Sequence, residues 1–272
     1  MPEMLDYTKP NEMIRADSLT CGRFCDLKDV SFSVACGGIH GVLGAKGAKK
    51  TRLLDVLAGC EEVDAGCVEI SGEKMTLENK ALRKKIGYVP ARPSFYSDMT
   101  AFELLNFIGG TRGVSADKRY RQIEESIDLL GLDEVQNRLI GSLSSEQKKR
   151  LSFAASLLGN TELVLLDEPL FGVPEEAHGE IIALIRLLGK HKTVLVASRS
   201  YSLIKELCED VILLSDGMVL AQDTLPHLDE STRATKNLSF EEFYCSTLEN
   251  TEPSSLEQAS EETVKDEKEG QE

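Results

Sequence analysis

Gly44-Ala45-Lys46-Gly47-Ala48-Lys49-Lys50-Thr51 keeps the spacing G-x-x-x-x-G-K-[ST], with Lys49 where the second glycine belongs. That spacing serves phosphate chemistry. Consecutive backbone N–H groups and a helix N-terminus cradle the phosphates, a lysine neutralises them, and a hydroxyl ligates magnesium. Lys50 and Thr51 retain the last two roles. Taken alone, a basic loop that holds no ligand reads equally well. A second segment, Leu163-Val164-Leu165-Leu166-Asp167-Glu168-Pro169, is an apolar run ending in two carboxylates. Asp167 is suited to hold magnesium through water, and Glu168 to polarise an attacking water. A buried strand capped by a solvated acidic turn explains the run, but not the order of the pieces.

These segments need strands to hold them and helices to follow. Ile39 to Leu43 reads as a strand, and Lys50 to Ala58 as a helix with Leu53, Leu54 and Leu57 on one face. Short apolar runs at 163–166, 193–197 and 211–214 fit strands buried on both faces of a parallel sheet. Glu176 to Leu188 fits a helix whose buried face is Ile181, Ile182, Leu184, Ile185 and Leu188. Residues 94–158 lack strand runs, carry helical periodicity (Ile123, Ile127, Leu130) and turn at Gly113 and Gly131, which predicts a helical insertion. Within residues 1–37, Val30-Ser31-Phe32-Ser33-Val34 alternates like a strand of a small antiparallel layer. No internal repeat is present.

Composition narrows the class. The 272 residues allow one large domain or two small ones, and 31 basic against 46 acidic residues give a net charge of −15. Such a chain does not grip nucleic acid through its global field, although a local basic cluster can bind a small anion. No apolar run reaches the ~18 residues of a membrane span, and the acidic start Met1-Pro2-Glu3-Met4-Leu5-Asp6 is unlike a secretory signal. The seven cysteines (21, 25, 36, 60, 67, 208, 245) form no C-x-x-C pair and read as reduced, mostly buried thiols. The four histidines lack ligand spacing, so no structural metal is expected.

Between the two phosphate-related segments stands Leu143-Ser144-Ser145-Glu146-Gln147-Lys148-Lys149-Arg150, ahead of an amphipathic helix. In this order the motifs resemble those of the nucleotide-binding subunits of bacterial ABC transporters, most of all stand-alone subunits of the drug-exporter branch. The resemblance spans about residues 12–246. It includes Ile86-Gly87-Tyr88-Val89-Pro90, Asp216-Gly217 and Leu238-Ser239-Phe240-Glu241-Glu242-Phe243-Tyr244. It implies an α/β P-loop NTPase fold of ABC type: a RecA-like parallel-sheet core, a small N-terminal antiparallel β layer and a helical subdomain at about 94–158. It implies ATP and magnesium as cofactors. Gly44, Gly47, Ala48, Lys49, Lys50, Thr51 and Arg52 would hold the nucleotide, Ser144 and Gln147 of the signature would reach across to a partner's site, and Thr51 and Asp167 would hold magnesium. Glu168 would be the catalytic carboxylate, with Ala91 at the Q-loop position and Arg199 at the switch-histidine position.

The departures from the family pattern shape the expected function. Lys49 puts a side chain where relatives bring bare backbone to the β-phosphate. Ala91 replaces the Q-loop glutamine, and Arg199 binds phosphate but cannot switch protonation near neutral pH. Ser145 and Glu146 replace the signature glycines, and Pro174 stands at the D-loop aspartate. A carboxylate such as Glu146 at ~5 Å from a phosphate charge, at an effective dielectric of ~20, is repelled by roughly 3 kcal/mol per charge pair. By ungapped count Cys21 occupies the base-stacking position, with Phe24 the nearest aromatic residue. The expectation is an ATP-binding subunit on the cytoplasmic face of a membrane permease, with weak or absent hydrolysis. It would pair with a second nucleotide-binding subunit, as a heterodimer in preference to a homodimer, and bind no nucleic acid. An active ATPase that energises export and a nucleotide-free docking subunit remain as alternatives. Residues 247–272 are expected to be an acidic, disordered tail: from Glu249 they hold nine acidic residues and two lysines.

Overall fold

Alternating apolar residues bury one face of each of the first two strands. In β1 (Glu12–Cys21) and β2 (Leu27–Ala35) the inward set includes Ile14, Ala16, Val30, Phe32 and Val34. The two strands pair antiparallel, with Ala16 opposite Phe32. The computed structural model describes residues 12–22 and 26–249. They fall into two compact units, Met1–Leu228 and Asp229–Glu272. After β2 come β3 (Ile39–Leu43), α1 (Lys50–Leu57), β4 (Ala65–Ile70) and β5 (Glu73–Lys74). β4 and β5 complete the first sheet in the order β2-β1-β4-β5. The antiparallel layer thus extends beyond residues 1–37. Its later strands are short and polar at their ends, without an apolar run to announce them.

The second sheet carries the site. Along the chain follow α2 (Lys80–Arg83), β6 (Ile86–Val89), α3 (Ala101–Thr111), α4 (Ala116–Leu129) and α5 (Ser145–Leu157). Then come β7 (Leu163–Asp167), α6 (Glu175–Gly189), β8 (Thr193–Ser198), α7 (Tyr201–Leu207), β9 (Asp210–Ser215) and β10 (Met218–Thr224). The sheet order is β10-β9-β3-β8-β7-β6. Strands β9, β3, β8, β7 and β6 run parallel. β7 and β8 are buried along their whole length, as continuous apolar runs require. Asp216 and Gly217, at φ 47° and 75°, turn the chain back into β10, which pairs antiparallel with β9. β10 has an alternating half-exposed pattern and escapes a search for apolar runs.

The core lies between the sheets. Leu53, Leu54, Val56 and Leu57 of α1 share one hydrophobic cluster with Ile14 and Val30 of the first sheet and with Leu165, Leu195 and Ile212 of the second. Each such buried leucine is worth about 1.5–3 kcal/mol. This packing fixes α1 beneath the loop that precedes it. Between β6 and β7 run α3, α4 and α5, with Gly113 and Gly131 in left-handed turns.

Helix α8 (Leu225–Lys236) runs across the boundary between the units, and α9 (Phe240–Glu249) follows. In the second unit Ser239 and Glu242 cap α9 reciprocally, and Asp229 accepts the Phe240 N–H at 2.9 Å. The expected acidic tail beyond residue 249 lies outside the described residues. Cys21 and Cys208 are buried, but Cys36, Cys60 and Cys245 are exposed, contrary to the expectation of mostly buried thiols. Among the described residues no helix is long and apolar enough to cross a membrane.

Candidate functional site

Parallel strands bring the motifs together because their C-terminal ends share one edge of the sheet. The loop after β3 carries residues 44–49, the end of β6 leads to Pro90 and Ala91, β7 ends at Asp167, and β8 ends at Ser198 beside Arg199. Residues 46–52, Ala91, Asp167, Glu168 and Arg199 line one cavity of about 750 Å³ together with Asp26, Tyr88 and Phe171. Ser144 and Gln147 are not among its walls.

The loop has the shape that phosphate binding needs. A Cβ on Gly44 would lie 2.5 Å from the Leu214 carbonyl, so close backbone packing demands glycine there. Lys49 caps α1 with φ 75° and ψ 24°, a left-handed conformation that costs an L-residue roughly 1–2 kcal/mol. It therefore adopts a backbone conformation that glycine takes without strain. Its side chain lines the cavity and forms an ion pair with Asp26 at 2.8 Å. Lys50 is buried, and its ammonium donates to the carbonyls of Gly44 at 2.7 Å and Ala45 at 3.1 Å. Burial lowers its pKa against the attraction of Glu168 and Asp167.

Two carboxylates close the far wall. Thr51 Oγ1 donates to Asp167 Oδ2 at 2.7 Å, so the hydroxyl and the carboxylate meet. Asp167 is 2% exposed, and its Oδ1 is buried without a hydrogen-bond partner. An orphaned buried carboxylate oxygen beside a hydroxyl is a donor set that fits a hard divalent cation. Glu168 adopts φ 41°. Its Oε2 accepts from Ser198 Oγ at 3.1 Å and its Oε1 from the Arg199 N–H at 3.0 Å. Lys50 Nζ and Arg199 Nε each stand 3.6 Å from Oε1.

Sequence reasoning missed Lys149. It is 1% exposed, and its ammonium donates to the carbonyls of Ala91 at 2.7 Å, Pro90 at 3.0 Å and Glu168 at 3.5 Å. Burial pulls its pKa down to about 8. The missed signal is helical spacing: Lys149 lies three, four and seven residues before Ser152, Phe153 and Ser156, all buried.

The signature segment is engaged within its own chain. Ser144 and Gln147 form a capping box at the start of α5, and Ser145 Oγ donates to the Gly172 carbonyl at 2.8 Å. Glu146 pairs with Arg150 at 2.8 Å, and Arg150 also reaches Glu180. The charge expected to repel a partner's phosphate is thus offset only in part, since Arg150 is shared between Glu146 and Glu180. Pro174 caps α6. Cys21 is buried, with Sγ 3.1 Å from the Glu62 carbonyl, and so offers no stacking face; Phe24 lies outside the described residues. Arg92 lies over the Phe171 ring at 4.9 Å on the cavity wall.

Residues 27–171 match the protein family described as ABC transporter. The chain is 34% identical over 204 residues to the uncharacterized ABC transporter ATP-binding protein YxlF of Bacillus subtilis, covering 75% of this chain and 68% of that protein. It is 31% identical over 190 residues to the longer probable multidrug ABC transporter ATP-binding protein YbhF of Escherichia coli, covering 70% of this chain but 33% of that one. The dimeric structure of an ATP-binding cassette in a post-hydrolysis state, bound to ADP and Pi, superposes with a TM-score of 0.71 at 23% identity. That match covers 78% of this chain and 99% of the other, and is a likeness of fold.

Proposed function

The chain belongs to the ABC transporter family of ATP-binding proteins, and from that premise we propose that it binds magnesium-ATP and serves a separate membrane permease, with weak or absent hydrolysis. The observation that carries the reading is that Lys50, Thr51, Asp167 and Glu168 line one cavity together. Lys50 leaves the loop carbonyls to meet a phosphate, and the α1 N-terminus presents its N–H groups. Magnesium held by Thr51 and Asp167 would neutralise charge on the phosphates. Hydrolysis is weak in this reading because Ala91 has no donor or acceptor side chain for water. Ser198 and the Arg199 N–H each donate to one oxygen of Glu168, which fixes its orientation and leaves the second lone pair of each oxygen for a water. The permease holds the subunit at the cytoplasmic face of the membrane.

A second reading, an active ATPase that energises export, draws on the same carboxylate, since Glu168 is retained and aimed into the cavity. Two measurements separate the readings. Magnesium-ATP at millimolar concentration is expected to raise the melting temperature of the wild type but not of Lys50→Ala. Steady-state ATPase activity, alone and with the co-encoded permease, is expected to be slow. Absence of any shift in the wild type would leave only a docking role without nucleotide.

A further inference from the structure

Asp26 lines the cavity beside the phosphate loop, yet it belongs to none of the motifs. Its Oδ1 is 2.8 Å from Lys49 Nζ, and its Oδ2 is 3.7 Å from Arg52 Nε. The second distance is an ion pair too long for a hydrogen bond, and Arg52 Nε is buried with no hydrogen-bond partner. The remaining guanidinium reaches Glu61. Asp26 is pinned where it stands. A Cβ on Gly217 would fall 1.9 Å from the Asp26 carbonyl oxygen, and the neighbouring Lys28 N–H donates to the Gly217 carbonyl at 2.8 Å.

Resting on the nucleotide-binding reading above, we propose that Asp26 is an affinity-determining residue of this site: an internal anion that occupies Lys49 and Arg52, which an incoming polyphosphate must displace. The left-handed Lys49 places its ammonium against this carboxylate on the cavity wall. Lysine in place of glycine therefore adds a cation at the rim, and Asp26 cancels it. A triphosphate gains from Lys49 only by competing with Asp26, and it meets a fixed negative charge until it does. The Lys49 ammonium holds the Asp26 carboxyl below its ordinary pKa, so the competitor is charged at neutral pH.

The test is calorimetric titration of the full chain with magnesium-ATP and, separately, with inorganic tripolyphosphate. The proteins are wild type, Asp26→Asn, Asp26→Ser, Lys49→Gly and the Asp26→Asn/Lys49→Gly double variant. Removing the carboxylate should tighten both probes by about tenfold, and most of that gain should vanish when Lys49 is glycine. Two replacements at position 26, each checked by its melting temperature, guard against a folding defect in one of them. If tripolyphosphate tightens but magnesium-ATP binds no variant, the role of Asp26 stands and the nucleotide reading falls. Equal magnesium-ATP affinity in wild type and both Asp26 variants overturns the role of Asp26 and leaves the nucleotide reading intact. A gain of the same size without Lys49 overturns the proposed competition. If neither probe binds any variant, both readings fail.

Discussion

In the proposed weak-hydrolysis reading, Glu168 is a retained carboxylate without its usual companions. Ser198 and the Arg199 N–H each donate to one of its oxygens, while Lys50 and Arg199 face it with positive charge. With the glutamine position filled by Ala91, loss of the carboxylate is expected to change little, because losses within one catalytic unit do not add. Glu168→Gln should alter the turnover of the isolated protein by less than about threefold; a drop of about a hundredfold from an appreciable rate would overturn the weak-hydrolysis reading. His40 supplies a different expectation. Its Nδ1 lies 2.7 Å from Asp210 and its Nε2 2.7 Å from the Gly37 carbonyl, so both ring nitrogens face acceptors. Burial alone would lower its pKa, but Asp210, the Gly37 carbonyl and Glu209 together raise it. A raised histidine pKa gives stability that is complete below the unfolded value of about 6.5 and is lost as pH climbs through the folded value. Urea midpoints should fall across that window in the wild type and stay flatter in His40→Asn.

Among the elements, one buried and one half-buried cation do the joining. Lys149 links α5 to the end of β6 and to the residue after β7. Arg112, just past α3, donates to the Ile86 carbonyl at 3.1 Å, the Leu158 carbonyl at 2.9 Å and Thr161 Oγ1 at 3.0 Å. Both satisfy carbonyls that the sheet and helix ladders leave over, so removing either strands buried acceptors. Lys149→Met should cost about 1–3 kcal/mol in equilibrium unfolding. It should also speed amide hydrogen exchange around Ala91 and Glu168 more than in α9. Unchanged exchange at both places would show that the ammonium does not hold them.

The proposed pairing rests on where the departures lie. In the family arrangement Lys49, Ala91 and Arg199 belong to the site built on this chain's own loop, whereas Ser145, Glu146 and Pro174 face the partner's. A homodimer would carry every departure in both sites, and a heterodimer would keep one site with an intact set of catalytic groups. The expected assembly is a heterodimer in which this chain is the less active half. Ser145→Gly with Glu146→Gly should raise turnover at the partner's loop in the reconstituted complex, and Lys49→Gly should not. Since Arg150, shared with Glu180, offsets part of the Glu146 charge, the gain should fall short of the roughly hundredfold that ~3 kcal/mol of unscreened repulsion implies. Purification from the native operon as a rapidly hydrolysing homodimer would sink this pairing.

The fold was legible in the residues where burial is continuous. Leu163–Leu166, Thr193–Ala197 and Val211–Leu214 announced buried strands, and Ile39–Leu43 followed by Lys50–Ala58 announced the strand, loop and helix of the phosphate site. Thr51 and Asp167 could be matched at a sequence distance of 116 residues because parallel strands bring their C-terminal ends to one edge. Strands β4, β5 and β10 stayed hidden because short or half-exposed strands leave no apolar run. Side-chain direction was equally out of reach. That Lys49 turns to Asp26, that Glu146 is spent on Arg150, and that Lys149 reaches three carbonyls all depend on backbone torsions and on neighbours distant in the chain. Residue type and spacing state which groups are available; only packing sets which of them meet, because a charge pairs with whatever the folded backbone places within a few ångströms.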